Sequence, residues 1–575
     1  MGYNFRAPGI LERLFQVKLD TGGKTELKRC LTLFPLIVQG IAHMLGAGIF
    51  VITPAIVQSM AGPATCISYL ISGLAAALSV LCYSDLAARY SCTGSSYVYT
   101  YFSMGELAAA ISGFFLIGEL IIQAPMLTLG LSDNIDKFLI NGTVQEWQSS
   151  NFPDWLLHTD LIAIGIMLLF MAINMAGIKT VSYLNIAIAG VSAISLLTFN
   201  IVALVNGDVA NLSRVVNPAD GRTGFAPFGF SGIMTGAGTA FFAFVGLESV
   251  VTLAEESVDP KRDLPRATMG SFLIVLVLYV VTAFSIAFIE PWYEVGGNTG
   301  LIGSLKRKGL TLPQYVVTAG LIFTVFSCGL CTVTTVVRVV YSVAEDGLLF
   351  PFLNSVYKRT QVPMWNVVVC SVVGILSSIV YEFDTLSHMI SGGTLTVFVI
   401  TALAVMILSY DLTDPDMEET EETPLTAEKT HARKHLFIIF MCVFLLATIV
   451  LAFLTAFLEQ STAVIVSEVV LAIIMIVSLT LIRCKIPLKA QEEDGTLSFK
   501  SPGKPFVQGF SVFVNLLLLF HLEVVALKQL VIYCIVGLII YFGYGIFFSK
   551  ITAEKQKRLS LKEIKLDDTG ESSVR

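Results

Sequence analysis

Charge is what this chain has least of. Only 14% of its 575 residues are Asp, Glu, Lys or Arg, against 55% hydrophobic ones, and mean hydropathy is +0.77. A soluble domain of this size has no use for so much apolar surface. Basic patches are too sparse, and a net charge of −7 has the wrong sign, for a nucleic-acid partner. No Walker motif, dinucleotide fingerprint, H-E-x-x-H or nucleophile elbow occurs, and no nucleophile–base–metal set is evident. An enzyme is not expected, nor is a cofactor or a metal. Cysteine is absent from every segment assigned below to the outer side, so disulfides are not expected. Cys328 and Cys331 form a C-x-x-C, but on an apolar helix they share one face with no His or further Cys nearby. Free packed thiols are the expectation there.

Long apolar runs are what the chain has instead. A membrane-crossing helix needs about 20 apolar residues. Fourteen such stretches lie near 34–57, 64–82, 104–126, 159–177, 181–205, 229–254, 267–289, 313–342, 364–380, 386–409, 435–457, 462–482, 507–526 and 530–549. They are continuous rather than alternating, which excludes a β-barrel and predicts an all-α polytopic membrane protein. The organisation expected is a cytosolic tail at 1–33, ten spans within 34–409, an acidic linker at 410–434, four spans within 435–549 and a charged tail at 550–575. The charged residues before the first run make that run a signal anchor rather than a cleaved leader. Leu11, Leu14 and Phe15 hint at a short amphipathic helix on the membrane surface.

Lysine and arginine orient the spans. With the N-terminus in the cytosol, 28 of the 36 fall on the cytosolic side and 7 outside, and Arg338 lies near the cytosolic end of span eight. Lys306-Arg307-Lys308 runs against the trend. Two Asn-x-Ser/Thr sequons, at Asn141 and Asn211, both fall in outer loops under this topology and are candidate glycosylation sites.

Small residues interrupt two spans at mid-depth. Gly46-Ala47-Gly48 breaks the first, and Phe242-Ala243-Phe244-Val245-Gly246 breaks the sixth. Unpaired backbone groups are tolerated in a membrane only where they line a cavity, and matched breaks in two halves point to a transporter's binding site. The matched positions, five spans apart, suggest a five-plus-five inverted repeat. Free N–H groups at 46–48 suit a carboxylate, and free carbonyls near 242–245 suit an α-ammonium. An amino acid carries both.

Each charge within a span costs roughly 2.5–3.5 kcal/mol on insertion scales and asks for a reason. Glu248, just past the second break, is a candidate counter-ion. Glu119 in span three is a candidate counter-ion or the partner of a neighbouring helix. Glu255 and Glu256, two turns below Glu248, suit an inner gate or the capping of neighbouring cytosolic elements. Glu468 is expected to bond locally, and His43, one turn before Gly46, to be a packed, hydrogen-bonded histidine.

These residues together resemble the amino acid–polyamine–organocation superfamily, and within it the fourteen-span branch of cationic amino acid transporters. The likeness rests on Leu45-Gly46-Ala47-Gly48-Ile49-Phe50; on Cys82-Tyr83-Ser84-Asp85-Leu86-Ala87-Ala88-Arg89 with Thr93-Gly94-Ser95-Ser96-Tyr97 and Met104-Gly105-Glu106-Leu107; on Pro227-Phe228-Gly229-Phe230-Ser231-Gly232 before Phe244-Val245-Gly246-Leu247-Glu248; on Glu255-Glu256-Ser257-Val258-Asp259-Pro260; on Ala344-Glu345-Asp346-Gly347-Leu348-Leu349-Phe350; and on Ile540-Tyr541-Phe542-Gly543-Tyr544-Gly545. The resemblance implies a LeuT-like core of ten helices with four additional C-terminal helices. It implies substrate held by Gly46, Ala47, Gly48, Phe242, Ala243 and Val245, with Glu119 and Glu248 beside them. Phe242 is implied as an aromatic gate and the plasma membrane as the location, both termini cytosolic, with intracellular membranes as the alternative.

The chain departs from that pattern where the pocket wall is expected. It has Glu248 for the usual Asp, Asp85 for Glu, His43 for a small residue and Phe115 for a polar one. The lysine of span five in proton-coupled relatives aligns with Val191, so lysine-mediated coupling is not expected. Residues 127–158 hold no cysteine, so no disulfide-linked heavy subunit is expected. The function expected is transport of amino acids, foremost the cationic arginine, lysine and ornithine, across the lipid bilayer. A neutral amino acid or polyamine carrier of the same fold, or a non-transporting sensor, are the alternatives.

Overall fold

The computed structural model describes residues 14–18, 27–46, 48–139, 144, 147, 160–213, 221–296, 300–380, 383–410, 424–458, 461–489, 497–522 and 524–550. Apolar runs in a membrane must satisfy their own backbone, and here they do so as helices. The main ones are α1 Leu33–Leu45, α2 Thr65–Arg89, α3 Glu106–Leu139, α4 Leu161–Met175, α5 Ile178–Asn206, α6 Gly229–Phe241, α7 Pro260–Ile289, α8 Thr311–Glu345, α9 Met364–Val380, α10 Phe383–Ser409, α11 Pro424–Phe457, α12 Thr462–Lys485, α13 Phe506–Phe520 and α14 Val524–Ile540. They coincide with the fourteen expected stretches. Several run well past the apolar residues: α2 continues to Arg89, α3 to Leu139 and α8 to Glu345. Among the described residues ten helical stretches are long and apolar enough to cross a membrane, and four shorter apolar helices accompany them.

The contacts carry a two-fold signature. α2 packs along α7, its counterpart five spans on. α1 packs on α7 as α6 packs on α2, α5 on α8 as α10 on α3, and α4 on α8 as α9 on α3. Replacing each helix by the one five places away maps these pairs onto one another, which is the packing an inverted repeat requires. The core is therefore a LeuT-like five-plus-five bundle. α11 and α12 pack on each other, while α13 and α14 lie against α10. Their outward faces, with Ile439, Leu446, Val466 and Ile473 exposed, are apolar as lipid contact demands.

Buried ion pairs tie the N-terminal-side ends of these helices together. Asp85 at the foot of α2 receives Arg89 Nε at 2.6 Å, Lys504 Nζ at 2.7 Å and the Ser501 amide at 2.7 Å. The segment before α13 is thereby anchored to the core. Burial pushes the Lys504 ammonium below the usual lysine range, and Asp85 opposes that shift. Residues 14–18 dock on the protein itself: Leu14 is buried, Lys18 pairs with Asp346, and the Lys18 amide donates to Tyr101 O at 3.2 Å. The surface helix expected from Leu14 and Phe15 is thus a contact on this face, and Leu11 lies outside the described residues. On the opposite side, Arg307 of the anomalous basic cluster forms a two-pronged pair with buried Glu290, at 2.6 and 2.8 Å.

Candidate functional site

α1 stops at Leu45, where Gly46 turns the chain (φ 13°, ψ −134°), and helical structure resumes at Gly48. α6 gives way to a tight turn over Phe242–Phe244, then extended Val245 and Gly246 at φ 107°, before helix returns at Glu248–Val251. The breaks face each other. Gly48 is required by close approach, because a Cβ there would stand 2.4 Å from the Tyr279 hydroxyl and 2.9 Å from Ala243 Cβ. Gly246 is required by its positive φ and by the His43 ring, which a Cβ would meet at 2.9 Å.

Tyr279 of α7 joins the two breaks. Its hydroxyl lies 2.9 Å from Met44 O, 3.3 Å from Leu45 O and 3.2 Å from Ala243 O. Its ring stacks on Tyr69 of α2 at 4.9 Å. The Tyr69 hydroxyl lies 2.8 Å from that of Thr53, which donates to Gly48 O at 3.2 Å. A hydroxyl has one proton to give, so three converging carbonyls cannot all be satisfied by Tyr279 at once.

Gly46, Gly48, Phe242, Ala243 and Val245 line one small cavity. His43 and Met44 of α1, Gln123, Met126 and Leu127 of α3 and Cys328 of α8 complete it. The expected residues of both breaks are thus brought together, except Ala47, which lies outside the described residues. Glu119 and Glu248 do not line this cavity. They sit beyond it: Glu119 is one turn of α3 before Gln123, and Glu248 is three residues past Val245. Val245 packs with Ile122 and Met126 of α3, and the two carboxyl groups are near enough to interact electrostatically. Both are 1% exposed. Glu119 Oε1 accepts from Thr394 of α10, whereas its Oε2 and both Glu248 oxygens have no hydrogen-bond partner among the described residues.

The other expected residues are placed as follows. Phe115 is buried but does not line the cavity. Val191 points outward, 39% exposed, and the α5 side chain at the α1–α8 junction is Asn185, which donates to Gln39 Oε1 at 2.9 Å and accepts from Ser327 at 2.9 Å. Cys328 and Cys331 are both free thiols; Cys328 donates to His43 O at 3.1 Å and Cys331 meets Asn185 at 3.2 Å. Glu256 pairs with Arg338 of α8 through two bonds of 3.0 and 3.2 Å, and its carbonyl accepts from the Cys30 and Leu31 amides. Glu255 accepts from the Thr93 amide at 3.1 Å. Asn211 is buried, and its amide nitrogen, the atom that would carry a glycan, donates to Phe288 O at 2.9 Å. Asn141 lies outside the described residues. Sequence reasoning missed Tyr279, Tyr69 and Thr53, ordinary residues in an apolar run whose only signal was a polar tip.

Comparison with known proteins agrees with this geometry. The family model described as amino acid permease matches residues 31–479, and that of the C-terminus of this permease family matches 499–549. Cationic amino acid transporter 4 of Mus musculus is 27% identical over 92% of this chain and 89% of its own length. The human protein of that name is 26% identical over 94% and 90%. A vacuolar cationic amino acid transporter 2 of Arabidopsis thaliana is 30% identical over 67% of this chain and 60% of its own. The chain belongs to the amino acid permease family.

Proposed function

We propose that the chain carries cationic L-amino acids (arginine, lysine and ornithine) by alternating access. The observation that supports this most is the pair of buried, incompletely bonded carboxylates, Glu119 and Glu248, one turn from a cavity lined by two unwound backbones. The amides at Gly46, Ala47 and Gly48 receive the substrate carboxylate, helped by the positive end of the half-helix. The carbonyl side of Phe242, Ala243 and Val245 receives the α-ammonium. The side-chain cation reaches toward Glu119 and Glu248, where a buried carboxylate without a cation is otherwise costly. Relatives named cationic amino acid transporters support that assignment.

Phe242 closes the cavity on one side. On the other, Glu256–Arg338 and Glu255–Thr93 join the end of span six to α8 and to the segment after α2, and they part when that side opens. The location proposed is the plasma membrane, with both termini cytosolic and glycans at Asn141 and Asn211; relatives named as vacuolar and mitochondrial make intracellular membranes the second location. No disulfide-linked heavy subunit takes part.

The test is uptake of a labelled amino-acid panel into cells and proteoliposomes, with and without sodium. Saturable arginine uptake is the expected result, and absence of any cationic substrate overturns the reading. The neutral lining of the cavity favours a neutral amino acid as the second reading, and competition against labelled arginine separates the two.

A further inference from the structure

The surroundings of His43 decide which ring nitrogen carries the proton. Nε2 lies 3.0 Å from Thr332 Oγ1 and 3.3 Å from Gln123 Oε1. The Thr332 hydroxyl already donates to Cys328 O at 3.0 Å, so toward His43 its oxygen accepts. Gln123 Oε1 only accepts. Both neighbours therefore call for a donor, and the proton of the neutral ring sits on Nε2. That leaves Nδ1 with a bare lone pair. Nδ1 is buried in a ring 1% exposed and has no hydrogen-bond partner among the described residues. The ring lines the cavity and lies against Gly246, two residues before Glu248, while Gln123 lies one turn from Glu119. His43 thus lies at the cavity wall, against Gly246 of the second break and bonded toward α3 and α8.

We infer that His43 Nδ1 is a specificity-determining acceptor, which takes one hydrogen bond from the side-chain ammonium or guanidinium of the substrate. This rests on the cationic reading above and adds to it. An ammonium has three N–H donors, so it can bond His43 Nδ1 as well as the two carboxyl groups. The imidazole also fills space that a small residue would leave, so it narrows the cavity and sets the path of the side chain.

Two isosteric substitutions separate this role from mere packing. Asn places its side-chain oxygen near the position of Nδ1 and loses the Nε2 anchor. Gln reaches the Nε2 position with an N–H and loses the Nδ1 acceptor. Transport is measured in proteoliposomes normalised to protein content, with labelled lysine or ornithine, and norvaline is the competitor without a side-chain donor. His43→Gln is expected to raise KM for lysine about tenfold, one lost hydrogen bond to a charged group, and to leave the norvaline Ki unchanged. His43→Asn is expected to stay within about threefold of the wild type for both, because the acceptor survives. The reverse order, or equal losses for lysine and norvaline, overturns the inference in favour of a packing role.

A measurement on the unaltered protein guards against misfolding of the variants. Trimethyl-lysine keeps the charge and lacks N–H donors. It should compete more weakly than lysine, and the gap should shrink in His43→Gln. Equal competition in the wild type overturns the inference, whereas a wild type that takes up no cationic amino acid overturns the substrate assignment beneath it.

Discussion

At the residue scale, the site is two kinds of polar group held where water is scarce. The backbone breaks offer groups that any amino acid can use, so they cannot choose among amino acids. On the proposed reading, choice falls to side chains beyond them. Glu248→Gln keeps the shape and removes a charge; it is expected to lower arginine affinity about 10- to 100-fold, the range of a hydrogen bond to a charged group. Uptake kinetics check this, and unchanged arginine KM removes Glu248 from the site. Tyr279→Phe should act differently. It takes a hydroxyl shared by three carbonyls away from both breaks, so cationic and neutral amino acids should be affected alike, with an expected cost of about 1–3 kcal/mol. A loss confined to one substrate class would place the Tyr279 hydroxyl at the side chain instead.

At the scale of elements, the buried ion pairs are the joints. Arg338 and Glu256 are 2% and 1% exposed at the side chain. Removing one partner of such a pair leaves a buried charge and costs about 3–5 kcal/mol. Arg338→Ala should therefore weaken closure on the N-terminal side and expose Cys30 to thiol reagents from that side, read as labelling rate. An unaltered rate would mean that the pair does not hold that side closed. Asp85→Asn should similarly loosen the segment before α13, because Arg89 and Lys504 lose their counter-ion, and this is read as a lower Tm in detergent. Lys504 adds a pH dependence of known sign. Its folded pKa lies below its unfolded one, so the unfolded chain holds that proton more tightly. Stability from this group rises as pH climbs through the folded value toward the unfolded one. A Tm series against alkaline pH should show that rise flattened in Lys504→Met.

At the scale of the whole molecule, the apolar runs, the bias of lysine and arginine and the two breaks were all legible in the sequence. A crossing helix announces itself through composition alone, since lipid forbids most other solutions. The proposed orientation is checked by glycosidase treatment. A mobility shift that disappears in Asn141→Gln is expected, with a smaller contribution from Asn211, whose amide is already occupied; no shift in either would undo the outer assignment of those loops. What stayed hidden depended on partners far apart in the chain. Tyr279 reads as one more aromatic in α7 until it meets Met44, Leu45 and Ala243. Glu256 reads as half of an acidic pair until Arg338, 82 positions on, lies across it. Asn185 reads as one polar residue in α5 until it meets Gln39 of α1 and Ser327 of α8. Sequence by itself determined the number of spans, their class and the places where helices break, because these follow from local composition and from the requirement that backbone groups in lipid be paired. Only the tertiary structure decided which side chains answer the breaks, because a hydrogen bond depends on where two atoms lie in space, and hydropathy does not record that.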